Sequence, residues 1–219
     1  QFFGTQKKLR FQDSTNKAIK IVHTENRKLM VWASKLTPDL SETDLPVLRV
    51  EDGFLRSKGL GANLIPPLSL VTDDLGIYYD PTRESRLERL IAKAAQMPDQ
   101  QLIRADALIT KLTKAGLSKY NLSGATLPDL PNGHRILVPG QVEDDASIHK
   151  GASAIKTNQA LLQAARDANP DAIILYKPHP DVEAGLRVGK LSEDGEKLAD
   201  MVLVNADPIQ LIDMCDAVW

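Results

Sequence analysis

The stretch "ILVPGQVEDDASI" spans residues 136–148. It starts as a short apolar run that reads as a buried strand, then releases a Gly, a Gln and three acids: Glu143, Asp144 and Asp145. No Lys or Arg follows before Lys150 to neutralise them. Beyond it, Ile155, Leu162 and Ala165 form a helical stripe, widened by Leu161 and Ala168. A second apolar run, "AIILYK" (172–177), comes next. Strand, helix and strand within roughly 40 residues make a βαβ unit. Its strands are expected to be parallel, with a right-handed crossover. Open α/β sheets bind ligands outside the carboxyl ends of their strands. The loop Gln141–Asp145 and the turn after Lys177 are therefore expected to open onto one crevice. "PIQLIDMC" (208–215) reads as another helix, and "AVW" (217–219) as the start of a third strand.

Toward the amino terminus, "LPDLPNG" (127–133) carries two prolines and a glycine between periodic segments and reads as a linker. Helices are expected over 84–95 and about 99–115, the second stopping at Gly116. "LSLVT" and "IYY" flank Asp73-Asp74-Leu75-Gly76, which predicts a hairpin. "LMVWA" (29–33) and "VLRV" (47–50) read as short buried strands. Two domains follow. They are expected at residues 1–131, with the basic lead-in and the hairpin, and 132–219, with the βαβ unit and an incomplete sheet.

Composition is ordinary for a soluble globular protein: 219 residues, 42% hydrophobic and 26% charged, with a net charge of −2. No apolar run approaches the ~18 residues of a membrane span, and "QFFGTQKKLRFQ" lacks the core of a signal peptide. The lone Cys215 excludes an internal disulfide and a zinc site built from cysteine pairs. These features predict a cytoplasmic protein. Of the 27 Lys and Arg, eight (Lys7, Lys8, Arg10, Lys17, Lys20, Arg27, Lys28 and Lys35) lie in residues 1–35 against Asp13 and Glu25. Such a start is either an ordinary solvated surface or one drawn to an anionic membrane leaflet. Aromatic residues are not interleaved with these charges, so nucleic acid is not an expected partner.

Two further stretches carry chemistry. In "YKPHPD" (176–181), Pro178 and Pro180 hold Lys177 and His179 extended. An ammonium and an imidazole fixed at a strand end suit an anion such as phosphate; the plainer reading is a rigid turn. In "RVEDGFLRSKGLGAN" (49–63), Arg49, Arg56 and Lys58 surround Glu51 and Asp52, with Gly53, Gly59 and Gly61 freeing the backbone. This matches neither the dinucleotide nor the P-loop glycine pattern, and a solvated turn rich in ion pairs is the plain alternative. The acidic trio has decoys too. A phosphorylation receiver would need an Asp at the end of a later strand, where Tyr176-Lys177 stands. His134, His149 and His179 lack metal-binding spacing, so no metal is expected.

Together these stretches resemble a known family, the bacterial capsule polysaccharide biosynthesis proteins that act as retaining β-Kdo transferases (KpsC-type). The resemblance rests on "RVEDGFLRSKGLGANLIPPLSLVTDDLGIYYD" (49–80), "LSKYNL" (117–122), "GQVEDDASI" (140–148) and "KPHPDV" (177–182), and extends from about Met30 to Trp219. It implies a GT-B-like α/β fold, two Rossmann-like lobes with the donor in the cleft. The family's continuation (a Ser/Thr-rich turn, a Gly-Phe-Glu-Ala-like helix and a Trp-Gly segment) does not follow Trp219. The chain is accordingly expected to be a truncated second module with an incomplete second lobe.

The implied reaction transfers Kdo from CMP-Kdo, with retention, to a β-Kdo linker on lysophosphatidylglycerol. It implies a peripheral inner-membrane location, other capsule assembly proteins as partners, and no cofactor beyond the donor substrate. By motif, Asp145 is the nucleophile, and Glu51 the proton-handling or acceptor-positioning carboxylate. Lys177, His179 and Gln141 bind the donor; Arg56, Ser57 and Gly59 bind substrate; Asp144 orders the loop. The alternatives are a noncatalytic glycan- or nucleotide-binding module of capsule assembly and, more remotely, an epimerase of GT-B-like fold.

Overall fold

The computed structural model describes residues 2, 9–36, 40, 45–122 and 126–219. Lys7 and Lys8 of the basic start lie outside the described residues. The chain divides into two compact units, 1–54 with 68–96, and 55–67 with 97–219.

In the first unit, helix α1 (Thr15–Glu25) starts at Ser14, whose hydroxyl accepts the Lys17 N–H. It ends at Asn26, which takes the left-handed conformation (φ 49°) of a helix C-cap. Val22 on its inner face packs with Leu29, Leu40 and Val47. The three strands β1 (Leu29–Trp32), β2 (Val47–Asp52) and β3 (Leu70–Asp73) pair in that order. β1 and β2 run parallel, and β2 and β3 antiparallel. Helix α2 (Arg86–Ala94) opens on a capping box in which Ser85 and Glu88 satisfy each other's backbone N–H groups.

The hairpin expected around Asp73–Gly76 does not form. β3 pairs with β2, and residues 77–79 are not a strand. The cause is Asp73, only 2% exposed. Its Oδ1 accepts from the N–H groups of Leu75 and Gly76, and its Oδ2 from that of Arg86. A carboxylate that gathers three amides ties the turn to the start of α2 instead of sending the chain back along β3.

In the second unit, α3 (Asp99–Lys114) ends before Gly116, which supplies the positive φ of the stop. A four-stranded parallel sheet follows, in the order β6-β5-β4-β7. Its strands are β4 (Arg135–Pro139), β5 (Ile173–Lys177), β6 (Met201–Val202) and β7 (Ala217–Val218). Helices α4 (Ala146–Gly151), α5 (Asn158–Ala168), α6 (Pro180–Glu183), α7 (Glu193–Glu196) and α8 (Pro208–Met214) connect them. Alternating strand residues build two cores. Ile136, Val138, Ile174 and Tyr176 meet Leu162 and Ala165 of α5, while Leu137 and Leu175 meet Leu211 of α8. The chain steps outward from β4 to β6, then returns to the far side of β4. Strand order therefore reverses between β4 and β7, the point where doubly wound sheets bind ligands.

The expected β4–α5–β5 unit is present, with Pro139 opposite Lys177. Ile155 falls before the helix, exposed. The boundary expected at 131/132 lies inside the second unit. Leu127 and Leu130 pack against the β4/β5 core, and the carbonyls of Lys119 and Tyr120 hold the 56–59 backbone. Among the described residues no helix is long and apolar enough to cross a membrane.

Candidate functional site

The acidic loop leaves β4 through Gly140, whose N–H donates to the Lys177 carbonyl at 2.8 Å. A side chain at 140 would strike the Tyr176 ring, with Cβ 2.9 Å from Cζ, and would stand 3.2 Å from Pro178 Cα. Glycine is thus required for the two loops to lie side by side. The loop is then folded around Asn158, which is buried. Asn158 Oδ1 accepts from Gln141 N, and its amide group donates to the carbonyls of Gln141 and Gly189. Gly189 takes φ 136° and leaves no room for a Cβ beside that amide.

The three acids have separate tasks. Glu143 Oε1 accepts the Asn158 N–H at 2.7 Å, at the start of α5. Asp144 pairs with Arg187 at 2.8 Å. Asp145 caps α4: its Oδ1 accepts from both N–H and Oγ–H of Ser147, at 2.9 and 2.7 Å. Its Oδ2 accepts no hydrogen bond from the described residues. Burial disfavours the Asp145 charge, but the two Ser147 bonds and the nearby Arg187 and Lys119 cations outweigh it. The pKa falls below the usual carboxylate value and the group is ionised at neutral pH. The loop therefore presents one anchored, charged carboxylate with an oxygen to spare.

At the end of β5, Lys177 is buried. Its Nζ donates to Pro178 O at 2.8 Å and lies 3.7 Å from Glu183. Glu183 in turn accepts the Asn205 N–H after β6. Burial lowers the Lys177 pKa, and Glu183 works against the shift. His179 caps α6, its Nδ1 accepting the Asp181 N–H at 3.1 Å. In the neutral ring this puts the proton on Nε2 and leaves an N–H to offer a ligand. Burial lowers the His179 pKa below the ordinary 6.5, against the opposing Asp181 carboxylate. The unfolded chain therefore binds the proton first as pH falls. Stability is expected to decline through the window from 6.5 down to the native value, and to be flat above it. NMR titration of His179 beside thermal melts at each pH checks this; a native pKa above 6.5 would contradict it.

The Gly-rich loop belongs to this same unit. Arg56 N, Ser57 N and Gly59 N donate to the carbonyls of Lys119, Lys119 and Tyr120, so these amides are not open to substrate. The Arg56 guanidinium is buried and donates to Ser57 Oγ and the Ile65 carbonyl. The Tyr120 ring stands edge-on to the His179 imidazole, their centroids 6.1 Å apart. Glu51 lies in the first unit, on β2, where its Oε1 accepts the Asp52 N–H. Asp145, Gln141, Lys177, His179, Arg56, Ser57 and Gly59 thus share one unit, and Glu51 is in the other. Among the described residues no group of three or more His, Cys, Asp or Glu side chains is arranged to hold a metal ion.

A sequence model of the capsule polysaccharide biosynthesis proteins matches residues 35–123 and 103–219. The chain belongs to this family. It is 41% identical over 217 residues to the capsule polysaccharide modification protein LipA of Neisseria meningitidis serogroup B, across 96% of this chain and 30% of that protein. It is 47% identical over 150 residues to the lipopolysaccharide-processing protein LpsZ of Rhizobium meliloti, across 67% of this chain and 34% of LpsZ. The chain thus spans about a third of the length of these curated relatives.

Two solved structures of Thermosulfurimonas dismutans KpsC are similar in fold. The β-Kdo 2,4 transferase superposes with a TM-score of 0.73 at 33% identity, over 86% of this chain and 61% of that one. The β-Kdo 2,7 transferase gives 0.73 at 34%, over 94% and 62%. The GT-B-like α/β class expected from the capsule-family resemblance is the class observed.

The sequence pointed to the acids and the KPHP turn but not to Asn158, the residue that shapes the acidic loop. Its signal was slight: an amide directly after Thr157, at the first position of a helix.

Proposed function

We propose that the chain is part of a glycosyltransferase that moves Kdo from CMP-Kdo, with retention, onto a β-Kdo linker on lysophosphatidylglycerol for capsular polysaccharide. The observation that carries this reading is Asp145: an ionised carboxylate anchored through one oxygen, at the carboxyl end of β4, in the same unit as Lys177 and His179. Asp145 Oδ2 attacks the anomeric carbon, and the bond to the CMP phosphate oxygen breaks, its electron pair leaving with CMP. His179 Nε2–H and the Lys177 ammonium stabilise the phosphate as charge develops on it. The acceptor hydroxyl then attacks the same carbon from the opposite face, releasing Asp145 and restoring the original configuration. Glu51 takes the acceptor's proton or positions the acceptor in this scheme, the roles the family resemblance implies. One phosphate between these cationic and N–H donors requires no metal ion or other cofactor.

A cavity of about 710 Å³ lined by Tyr176, Pro178, Pro180, Glu183, Gly189 and Asn205 is proposed for the nucleoside. Its size is within the ~300–1,000 Å³ typical of small-molecule sites. Gln141, exposed at the mouth of β4, completes the donor contacts in this reading. The basic residues of 9–35, including the exposed Lys17, Lys20 and Lys28, suit the anionic leaflet that carries a lipid acceptor. The reading includes a peripheral position at the inner membrane and other capsule assembly proteins as partners.

The test is incubation of the intact protein with CMP-Kdo and a β-Kdo acceptor. Release of CMP and a product with the donor's anomeric configuration, read by NMR, is expected. An inverted product, or binding without CMP release, would overturn the reading; the latter would point to a noncatalytic binding module.

A further inference from the structure

Among the described residues, several cations of this unit are engaged. Arg187 pairs with Asp144, Lys177 lies against Glu183, and Arg56 is turned inward to Ser57 and Ile65. Lys119 is exposed, and no carboxylate pairs with it among the described residues. It is nevertheless not loosely placed. The 118–121 turn is closed by reciprocal bonds, Ser118 N–H to Asn121 Oδ1 and Asn121 N–H to Ser118 Oγ. Asn121 sits in the left-handed region at φ 49°, and its side-chain amide donates to Ser57 O. The Lys119 carbonyl receives Arg56 N–H and Ser57 N–H from the Gly-rich loop. Its ammonium lies 5.3 Å from the centre of the Tyr120 ring, and that ring stands edge-on to His179. A turn fixed by these bonds thus carries an ammonium on the Tyr120 ring that adjoins His179, and among the described residues no ion pair holds it. Its field reaches both Asp145 and His179.

We propose that Lys119 is a specificity-determining residue of this site, the cation that recognises the carboxylate of an acidic sugar donor. The inference rests on the transferase reading above and adds to it the group that selects the sugar. A sugar held between a nucleophile and a phosphate ligand is surrounded by negative charge: Asp145 on one side and the phosphate on the other. A carboxylate on that sugar needs a compensating cation. A lysine ammonium supplies it as a point charge with three donors and without fixed geometry. The Arg56 guanidinium, by contrast, donates to Ser57 Oγ and the Ile65 carbonyl.

The experiment compares the intact protein with Lys119→Met and Lys119→Arg, using CMP-Kdo and its carboxamide analogue as donors. For wild type, kcat/KM is expected to fall about 100-fold from the carboxylate donor to the carboxamide, as for loss of a charge-assisted contact. Lys119→Met should erase that preference by losing rate only on the carboxylate donor, and Lys119→Arg should restore much of it. Inhibition by CMP alone should be the same in all three. Because Lys119 is exposed, thermal melts are expected to coincide. A Lys119→Met protein that keeps the wild-type preference overturns the proposal while leaving the transferase reading intact. Failure of wild type to turn over CMP-Kdo overturns both.

Discussion

Asp145→Asn is expected to lower Kdo transfer by about 10³-fold or more, the scale on which loss of a nucleophile is felt. It should do so without unfolding the loop. Asparagine is as good an N-cap as aspartate, so its carbonyl oxygen keeps the Ser147 N–H and α4 keeps its start. Asp145→Ala removes both functions, and about 1 kcal/mol of stability should go with the cap. Kinetics and melts on the two variants therefore separate chemistry from folding. An Asn variant that transfers at the wild-type rate would remove Asp145 from the mechanism. One that melts as low as the Ala variant would show that the charge, not the cap, holds the loop.

Gly140→Ala should act through the fold. The new Cβ would press on the Tyr176 ring and approach Pro178 Cα, so either β5 or the KPHP turn must move. Overpacking of this kind costs about 1–3 kcal/mol, a fall in Tm of roughly 2–12 °C for a chain of this size. Tyr176→Phe offers a control, because the Tyr176 hydroxyl is buried and has no hydrogen-bond partner among the described residues. Alone, that change should be close to neutral. Combined with Gly140→Ala it should recover part of the lost stability, since it deletes the phenolic oxygen nearest the new methyl group. Strict additivity in the double variant would contradict the packing argument. Donor binding should weaken in Gly140→Ala in proportion to the shift of His179.

The features legible from sequence were those written in periodicity and punctuation. The β4–α5–β5 unit showed itself through two apolar runs and a helical stripe, and the prolines fixed the Lys177–His179 turn. What escaped was set by tertiary hydrogen bonds. Asp73 read as a turn residue, and only its burial with three amide donors shows why the chain does not fold back at Gly76. β6 is two residues long, too short for alternation to register. Helix α1 sits in a run of polar and basic residues, where charge masked the Val22 contact that seats it on β1 and β2. In the Gly-rich loop, the amides of Arg56, Ser57 and Gly59 bind the carbonyls of Lys119 and Tyr120, 60 or so residues away in sequence. Nothing local encodes that pairing.

In the acidic loop, sequence could single out Asp145 only by family resemblance. Geometry adds a physical distinction. Glu143 and Asp144 are each tied to a structural partner, an amide and a guanidinium, whereas Asp145 is tied through one oxygen and keeps the other. That difference leads to one direct measurement: intact-protein mass spectrometry after incubation with CMP-Kdo in the absence of acceptor. The expected result is a mass gain of one Kdo residue, mapped to the peptide carrying Asp145, lost on addition of acceptor and absent in Asp145→Asn. Turnover of CMP-Kdo with the protein unmodified, together with full activity in Asp145→Asn, would contradict it.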